Sequence, residues 1–599
     1  MFREWLKNNK VSDFDFSTKL FPSASDRAFW ENKYDEEYIK QGEAFLNYSW
    51  PHILATDFMA FKTEGNRLKQ ENPFFERRYA LFSLVKAEIF EYKGRFLPDI
   101  LNGIFLICEE TYWGVSAHFL AYYGTDAIDK TYYNIPHSNN DYIDLFAAET
   151  GSMIAIIYYM LHDELQEFCP EILEYMEIEL DRRIIKPYLK HTDVWWMGYD
   201  HDVNNWNPWI ISNMLTVFLI LENDKQVLHK AIEKMLFEIN NIYIRYPFDG
   251  GCDEGASYWT VSGAMIFEFC EQLYVATDGK INFFNDEKLR NIFMFDYNAY
   301  IGDGTFINFA DGVLQVKGMQ TLFYMIGKRL NDERMISLAS EMCRIDRKVP
   351  LRETKARKEI YNAIYKNEIS SDIVFKHEPE ILLKDLQVCS RRSDKWFLAF
   401  KGGHNDEGHN HNDIGNVIVC YDNRAVLCDA GCGIYTRQTF GAERYTIWTM
   451  RSDWHNLPVI NGQVQKNGRN FCADGFDNSK ISFAKAYPEQ ADVNSAVRHI
   501  DISQDGIEIT DEFEFAKAKN TVSENFITPC SVKIDGNVAI IDDKFVLECD
   551  SCEKVSFDFV EFKDDAKLIS MWNTDKIFRI IFDFETDENK VIKFKLRRK

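Results

Sequence analysis

The feature that most constrains this chain is a change of hydrophobic period near residue 370. Before it, apolar residues recur every three or four positions. Phe82, Val85 and Ile89 form one stripe, and Ile154, Ile157, Tyr158 and Leu161 another, a spacing that places each set on one helix face. After Ser370, strand-length apolar runs take over: Trp396 to Phe400, Val417 to Tyr421, Ile507 to Phe515, Val538 to Val546, Ile577 to Phe584 and Val591 to Leu596. Asn461-Gly462, Asp505-Gly506 and Asp535-Gly536 separate many of them, and such dipeptides favour tight turns between antiparallel strands. A chain of 599 residues is also too long for one ordinary core. The expectation is a multidomain α+β protein. Residues 1–370 should form a helical domain of stacked helix pairs, open or closed into a toroid, and residues 371–599 an antiparallel β-sandwich. No low-complexity linker divides the halves, so a cleft between packed domains is the natural place for a site.

Charge narrows the partners. Lys and Arg number 69 against 94 Asp and Glu, a net charge of -25. Such a surface repels nucleic acid and anionic membranes, so neither is an expected partner. No run approaches the roughly 18 apolar residues of a membrane span. Met1-Phe2-Arg3-Glu4-Trp5 lacks the apolar core of a signal peptide, and the direct reading is cytoplasmic. The 13 Cys are odd in number, scattered and often flanked by apolar residues, as at Ile107-Cys108 and Val419-Cys420. That pattern reads as reduced, buried thiols. Cys549-Asp550-Ser551-Cys552 has redox or zinc spacing but no matching second pair.

Three polar clusters could carry chemistry. Gly402-Gly403-His404-Asn405-Asp406-Glu407-Gly408-His409-Asn410-His411-Asn412-Asp413 places three of the 13 His within eight residues, immediately before a strand. On an extended segment His409 and His411 would point to the same face, where both could serve one metal, or one could bind metal while the other moves a proton. Asp429, after the strand Ala425 to Cys428, and His455 could complete a divalent-metal set, for which zinc is the default. Asp202-Val203-Asn204-Asn205-Trp206-Asn207-Pro208-Trp209 reads equally as a capped helix start with buried Trp or as a sugar-binding loop. Asp249 to Trp259 offers Asp253, Glu254 and Tyr258 among glycines. Paired carboxylates there could indicate a glycoside hydrolase, and a single Tyr among 29 is more often structural than catalytic.

In this order the clusters resemble the heparinase II/III superfamily of polysaccharide lyases. The likeness runs from about Arg77 to Gln465 and is strongest at Gly408 to Gly415 and Ser452 to Gly462. The resemblance implies an N-terminal (α/α) toroid joined to antiparallel sandwich sheets, and β-elimination on a uronate-containing glycan, with glycosaminoglycans such as heparan sulfate, chondroitin or hyaluronan favoured. It implies Asn205 as the amide that binds the uronate carboxylate, Tyr258 as the catalytic tyrosine and His409 as the histidine beside it; the chemistry assigns His409 as base and Tyr258 as acid, or Tyr258 as both for one C5 epimer. It also implies His411, Asp429 and His455 as ligands of one mainly structural divalent ion, zinc or else manganese. Trp206 stands where some relatives carry His. Trp206, His201, Glu254, His118, Arg437 and Tyr445 are further candidates for the substrate cleft. The rival readings are a toroidal hydrolase using Asp253 and Glu254, and a catalytically silent glycan-binding protein.

Overall fold

Among the described residues, helices predominate between Phe2 and Tyr365, interrupted by the short hairpin Tyr300–Gly302 and Thr305–Phe306, and the strands of the C-terminal half begin at Glu380. The computed structural model describes residues 1–119, 135–136, 142–192, 194–200, 202–346, 355–436, 438–549, 551–587 and 589–599. The helices start where sequence supplies a cap. Asp144 accepts from the Ala147 amide to open Leu145–Met160, and Asp224 caps Lys225–Arg245 in the same way. The predicted stripes lie on Leu68–Glu91 and Leu145–Met160, where Phe82, Val85, Ile89, Ile154 and Ile157 are all buried. Leu68–Glu91 packs on Leu145–Met160, which packs on Trp206–Leu221, which in turn meets Gly263–Ala276. Side-by-side stacking of this kind gives a curved, toroid-like array. Among the described residues, no single helix is long and apolar enough to cross a membrane.

The C-terminal half is antiparallel throughout. Glu380–Leu383, Val388–Ser393, Trp396–Lys401, Val417–Tyr421 and Arg424–Leu427 form a five-stranded sheet in chain order. An eight-stranded sheet is built around the long hairpin of Val493–Ser503 and Gly506–Phe515. A four-stranded sheet pairs Asn520–Thr528 with Lys576–Thr586 on one side and Pro458–Ile460 on the other. The apolar run read as one strand from Val538 to Val546 is two, Val538–Ile541 and Phe545–Cys549. Asp542 and Asp543 both take left-handed φ, +53° and +54°, and two such residues make a tight hairpin turn.

The five-stranded sheet is the layer that joins the halves. In Trp396–Lys401, Phe397 and Ala399 belong to the helical core, whereas Trp396, Leu398 and Phe400 belong to the sandwich core. Burial on both faces explains why that strand is apolar from Trp396 to Phe400 instead of alternating. Arg498, fully buried, pairs with Asp511 and donates to the carbonyls of Gly415 and Asn456. The Asn456 amide donates to the carbonyls of Val417 and Cys428 and accepts from the Ile527 amide. These bonds fix the loops at 408–416 and 452–457 against the sheets. All 13 Cys are free thiols, nine of them buried.

Candidate active site

A cleft of about 900 Å³ opens between the helical array and the sandwich. Its helical wall carries His118, Asn205, Trp206, Glu254 and Tyr258, and its sandwich wall carries His409 and Tyr445. Residues more than 200 positions apart in sequence thus share one space. Of the remaining cleft candidates, His201 and Arg437 lie outside the described residues.

Asn205 is the N-cap of Trp206–Leu221 and is 4% exposed. Its side chain makes no hydrogen bond with any described residue, and it faces the cleft at the positive end of the helix dipole, a place suited to a carboxylate. Beside it the Trp206 ring lies 4.7 Å from His118 and 5.0 Å from Trp195. The segment is therefore both a helix start and part of the cleft wall. His118 is held by Asp144, its Nδ1 3.0 Å from Oδ2.

The loop bearing the histidines is not extended, and the two rings do not share a face. His409 adopts φ +52°, a left-handed conformation that few non-glycine residues take. The backbone turns there, sending His409 into the cleft and His411 into the interior. The His409 ring stacks on Tyr258, with centroids 4.0 Å apart, and its Nδ1 lies 2.8 Å from Glu254 Oε2, close enough for an ion pair though poorly aligned for a hydrogen bond. Burial disfavours the charged ring, but the Glu254 and Asp311 carboxylates outweigh it and raise the His409 pKa. Asp253 pairs with Arg245 at 2.9 Å and accepts from the Gly408 amide at 3.0 Å. Gly408 has room for no side chain, since an added Cβ would sit 2.7 Å from Glu254. Both carboxylates of the hydrolase reading therefore brace the 408–409 turn from one wall.

Asp311, Tyr435 and Arg444 complete the site, and sequence reading passed over all three. Asp311 is 1% exposed and its carboxylate takes three donors: His411 Nε2 at 3.0 Å, Arg444 Nη2 at 2.9 Å and the Tyr435 hydroxyl at 2.9 Å. Burial raises its pKa, but His411, the Arg444 guanidinium and His409 outweigh it and hold it well below the usual carboxylate range. Tyr435 in turn hydrogen-bonds Tyr258. Because the one Tyr435 proton goes to Asp311, the Tyr258 hydroxyl is the donor in that pair. Burial, reinforced by Asp311, pushes the Tyr258 pKa far up, so Tyr258 keeps its proton. Tyr445 accepts from the Asn410 amide at 3.1 Å.

Behind this layer, His411, Asp429 and His455 are all fully buried, with one ligand atom from each within 4.8 Å of the others. His411 Nδ1 and His455 Nε2 have no hydrogen-bond partner among the described residues. The contact with Asp311 gives His411 Nε2 the proton and leaves Nδ1 as a lone pair toward Asp429, 4.0 Å away. Orphaned buried nitrogens beside a carboxylate fit a cation, so these three residues could hold a metal ion.

An array of helices closing onto antiparallel sheets, with a cleft between, is the architecture of a group of polysaccharide lyases. The chain is similar to heparinase III, with TM-score 0.61 and 12% identity over 94% of this chain and 85% of that one. It is similar to the heparan sulfate lyase HepC of Pedobacter heparinus, with TM-score 0.57 and 11% identity over 100% of this chain and 87% of that one. It is also similar to the chondroitin AC lyase of Streptomyces coelicolor A3 in complex with chondroitin sulphate, with TM-score 0.55 and 11% identity over 96% and 82%. No protein-family model and no curated protein matches the sequence. The likeness is one of fold.

Proposed function

We propose that this protein is a lyase that cleaves a uronate-containing glycan by β-elimination. One observation carries the reading: a buried amide without a protein partner among the described residues, a proton-bearing tyrosine and a histidine converge on one cleft. Removing the C5 proton of a uronate places negative charge on its carboxylate, and Asn205 at a helix N-terminus is suited to stabilise that charge. His409 takes the C5 proton, and Glu254 beside Nδ1 stabilises the resulting imidazolium. The C4–O4 bond breaks as Tyr258 gives its proton to O4, and the electron pair of the C5–H bond becomes the C4–C5 double bond. Tyr435 and Asp311 hold the Tyr258 oxygen in place, and its proton turns from Tyr435 to O4 as the bond breaks.

His411, Asp429 and His455 would hold one divalent ion, zinc by donor set or else manganese. Bound there, it would supply a structural cross-link under the loop that carries His409. The test is incubation with a panel of uronate glycans. A lyase yields products with the ultraviolet absorbance of a conjugated double bond. New reducing ends without that absorbance would make the protein a hydrolase, and binding without cleavage would make it a glycan-binding protein.

A further inference from the structure

We infer that the cleft is built for an unsulfated uronate glycan, one bearing a single carboxylate per repeating unit and no sulfate ester. The inference rests on the lyase reading and narrows its substrate. Its basis is where the cations are. Among the described residues, three arginines line the cleft, Arg67, Arg245 and Arg444. Each already meets a carboxylate: Arg67 with Glu71 at 2.5 Å, Arg245 with Asp253 at 2.9 Å and Arg444 with Asp311 at 2.9 Å. Lys567 caps the Tyr435 ring at 4.6 Å but is not among the lining residues. The same walls add the carboxylates of Glu254 and the exposed Asp406.

A sulfate ester is ionised at every working pH, and entering this cleft would cost it water without returning a free cation from the described residues. The net charge of -25 adds repulsion on approach. A single uronate carboxylate is met differently, by the neutral Asn205 amide and a helix N-terminus. The rest of the wall suits sugar faces, with Phe146, Trp206, Trp209 and Phe440 presenting rings.

Matched glycans test this: chondroitin against chondroitin sulfate, and N-acetylheparosan against its N-sulfated, unepimerised derivative, each pair sharing one uronate, with hyaluronan as a third unsulfated chain. Formation of the unsaturated product is followed at two salt concentrations. The unsulfated member of a pair should have kcat/KM higher by about tenfold or more, equal to about 1.4 kcal/mol of discrimination, and its KM should change little with salt. Asp406→Lys should narrow the ratio by bringing a free cation to the wall, and an unchanged ratio would remove the electrostatic basis of the proposal. Equal or faster cleavage of the sulfated members overturns the inference and leaves the lyase reading intact. Absence of unsaturated product from every glycan overturns both.

Discussion

A carboxylate that accepts three hydrogen bonds sets the direction of every proton around it, and Asp311 is that group here. With Tyr435 donating to Asp311, Tyr258 donates to Tyr435 and reaches the substrate already protonated. Tyr258→Phe should therefore lower kcat by about 10²–10⁴-fold with folding intact, since that is the usual contribution of a general acid. A thermal melt run beside the rate assay separates lost chemistry from lost fold. Asp311→Asn removes the charged acceptor shared by Tyr435, Arg444 and His411, so the wall that positions Tyr258 and His409 loosens and kcat should fall while KM holds. In a Tyr435→Phe background the same change should have a smaller effect on kcat, the remainder coming from Arg444 and His411, and a double-mutant cycle measures the share carried by Tyr435. Asn205→Ala should lower kcat more than it raises KM, because carboxylate charge grows toward the transition state; a pure KM effect would make Asn205 a binding residue only. Asn205, Tyr258 and His409 stand in dense polar clusters, so their types and spacing could be seen in sequence. Asp311, Tyr435 and Arg444 stand alone amid ordinary turns, and only the fold brings them together.

Among the elements, the helix Lys225–Arg245 carries the clearest dependence on pH. Glu238 sits on it fully buried, accepting from the hydroxyls of Tyr188 at 2.8 Å and Tyr199 at 3.1 Å. Burial raises its pKa from 4.5 to about 7, with Lys234 and the two hydroxyls opposing. The folded chain thus holds a proton that the unfolded chain has released. The contribution is fully present below pH 4.5 and is lost as pH rises toward about 7. Glu238→Gln should flatten that decline in melting temperature and stabilise the protein on the alkaline side by up to roughly 3 kcal/mol. A wild-type melting temperature that stays level across this window would exclude the protonated acid. Element types were legible because burial leaves a period in sequence. Trp396–Lys401 shows the limit: with both faces covered it has no alternation, so length and flanking turns alone marked it as a strand. The left-handed turn at His409 left no such trace, because the residue that takes it is not glycine. Extended geometry was the natural assumption, and it put both histidines on one face.

At the scale of the whole molecule, the two halves are tied by polar bonds that converge near His411, Asp429 and His455. Asn308, from the helical half, donates to the Asp429 carbonyl at 3.1 Å, and Asp311 holds His411. Farther along the same interface, Asp249 accepts from the backbone amides of Asp385 and Leu386. Two domains and an intervening cleft could be expected from the change of period, but which loops face each other is set by contacts across 100 positions or more, which no local pattern encodes. A cation held by these three residues would join the loop at 408–416, the end of the strand Arg424–Leu427 and the turn at 452–455 to that interface. Purified protein should then contain one equivalent of divalent metal. His455→Ala should lose it together with roughly 3 kcal/mol of stability, the linkage expected when free ligand is near 100 times its Kd. Activity should fall as well, because His409 lies two residues from His411 and its stacking on Tyr258 depends on that loop. The order of effects discriminates: metal content and melting temperature should drop together in the His455 variant, and added zinc should restore both in a chelated wild type but not in the variant. Wild-type protein without stoichiometric metal, or a His455→Ala variant that keeps its metal and its melting temperature, would show that the three buried side chains serve only as a hydrogen-bonded cluster.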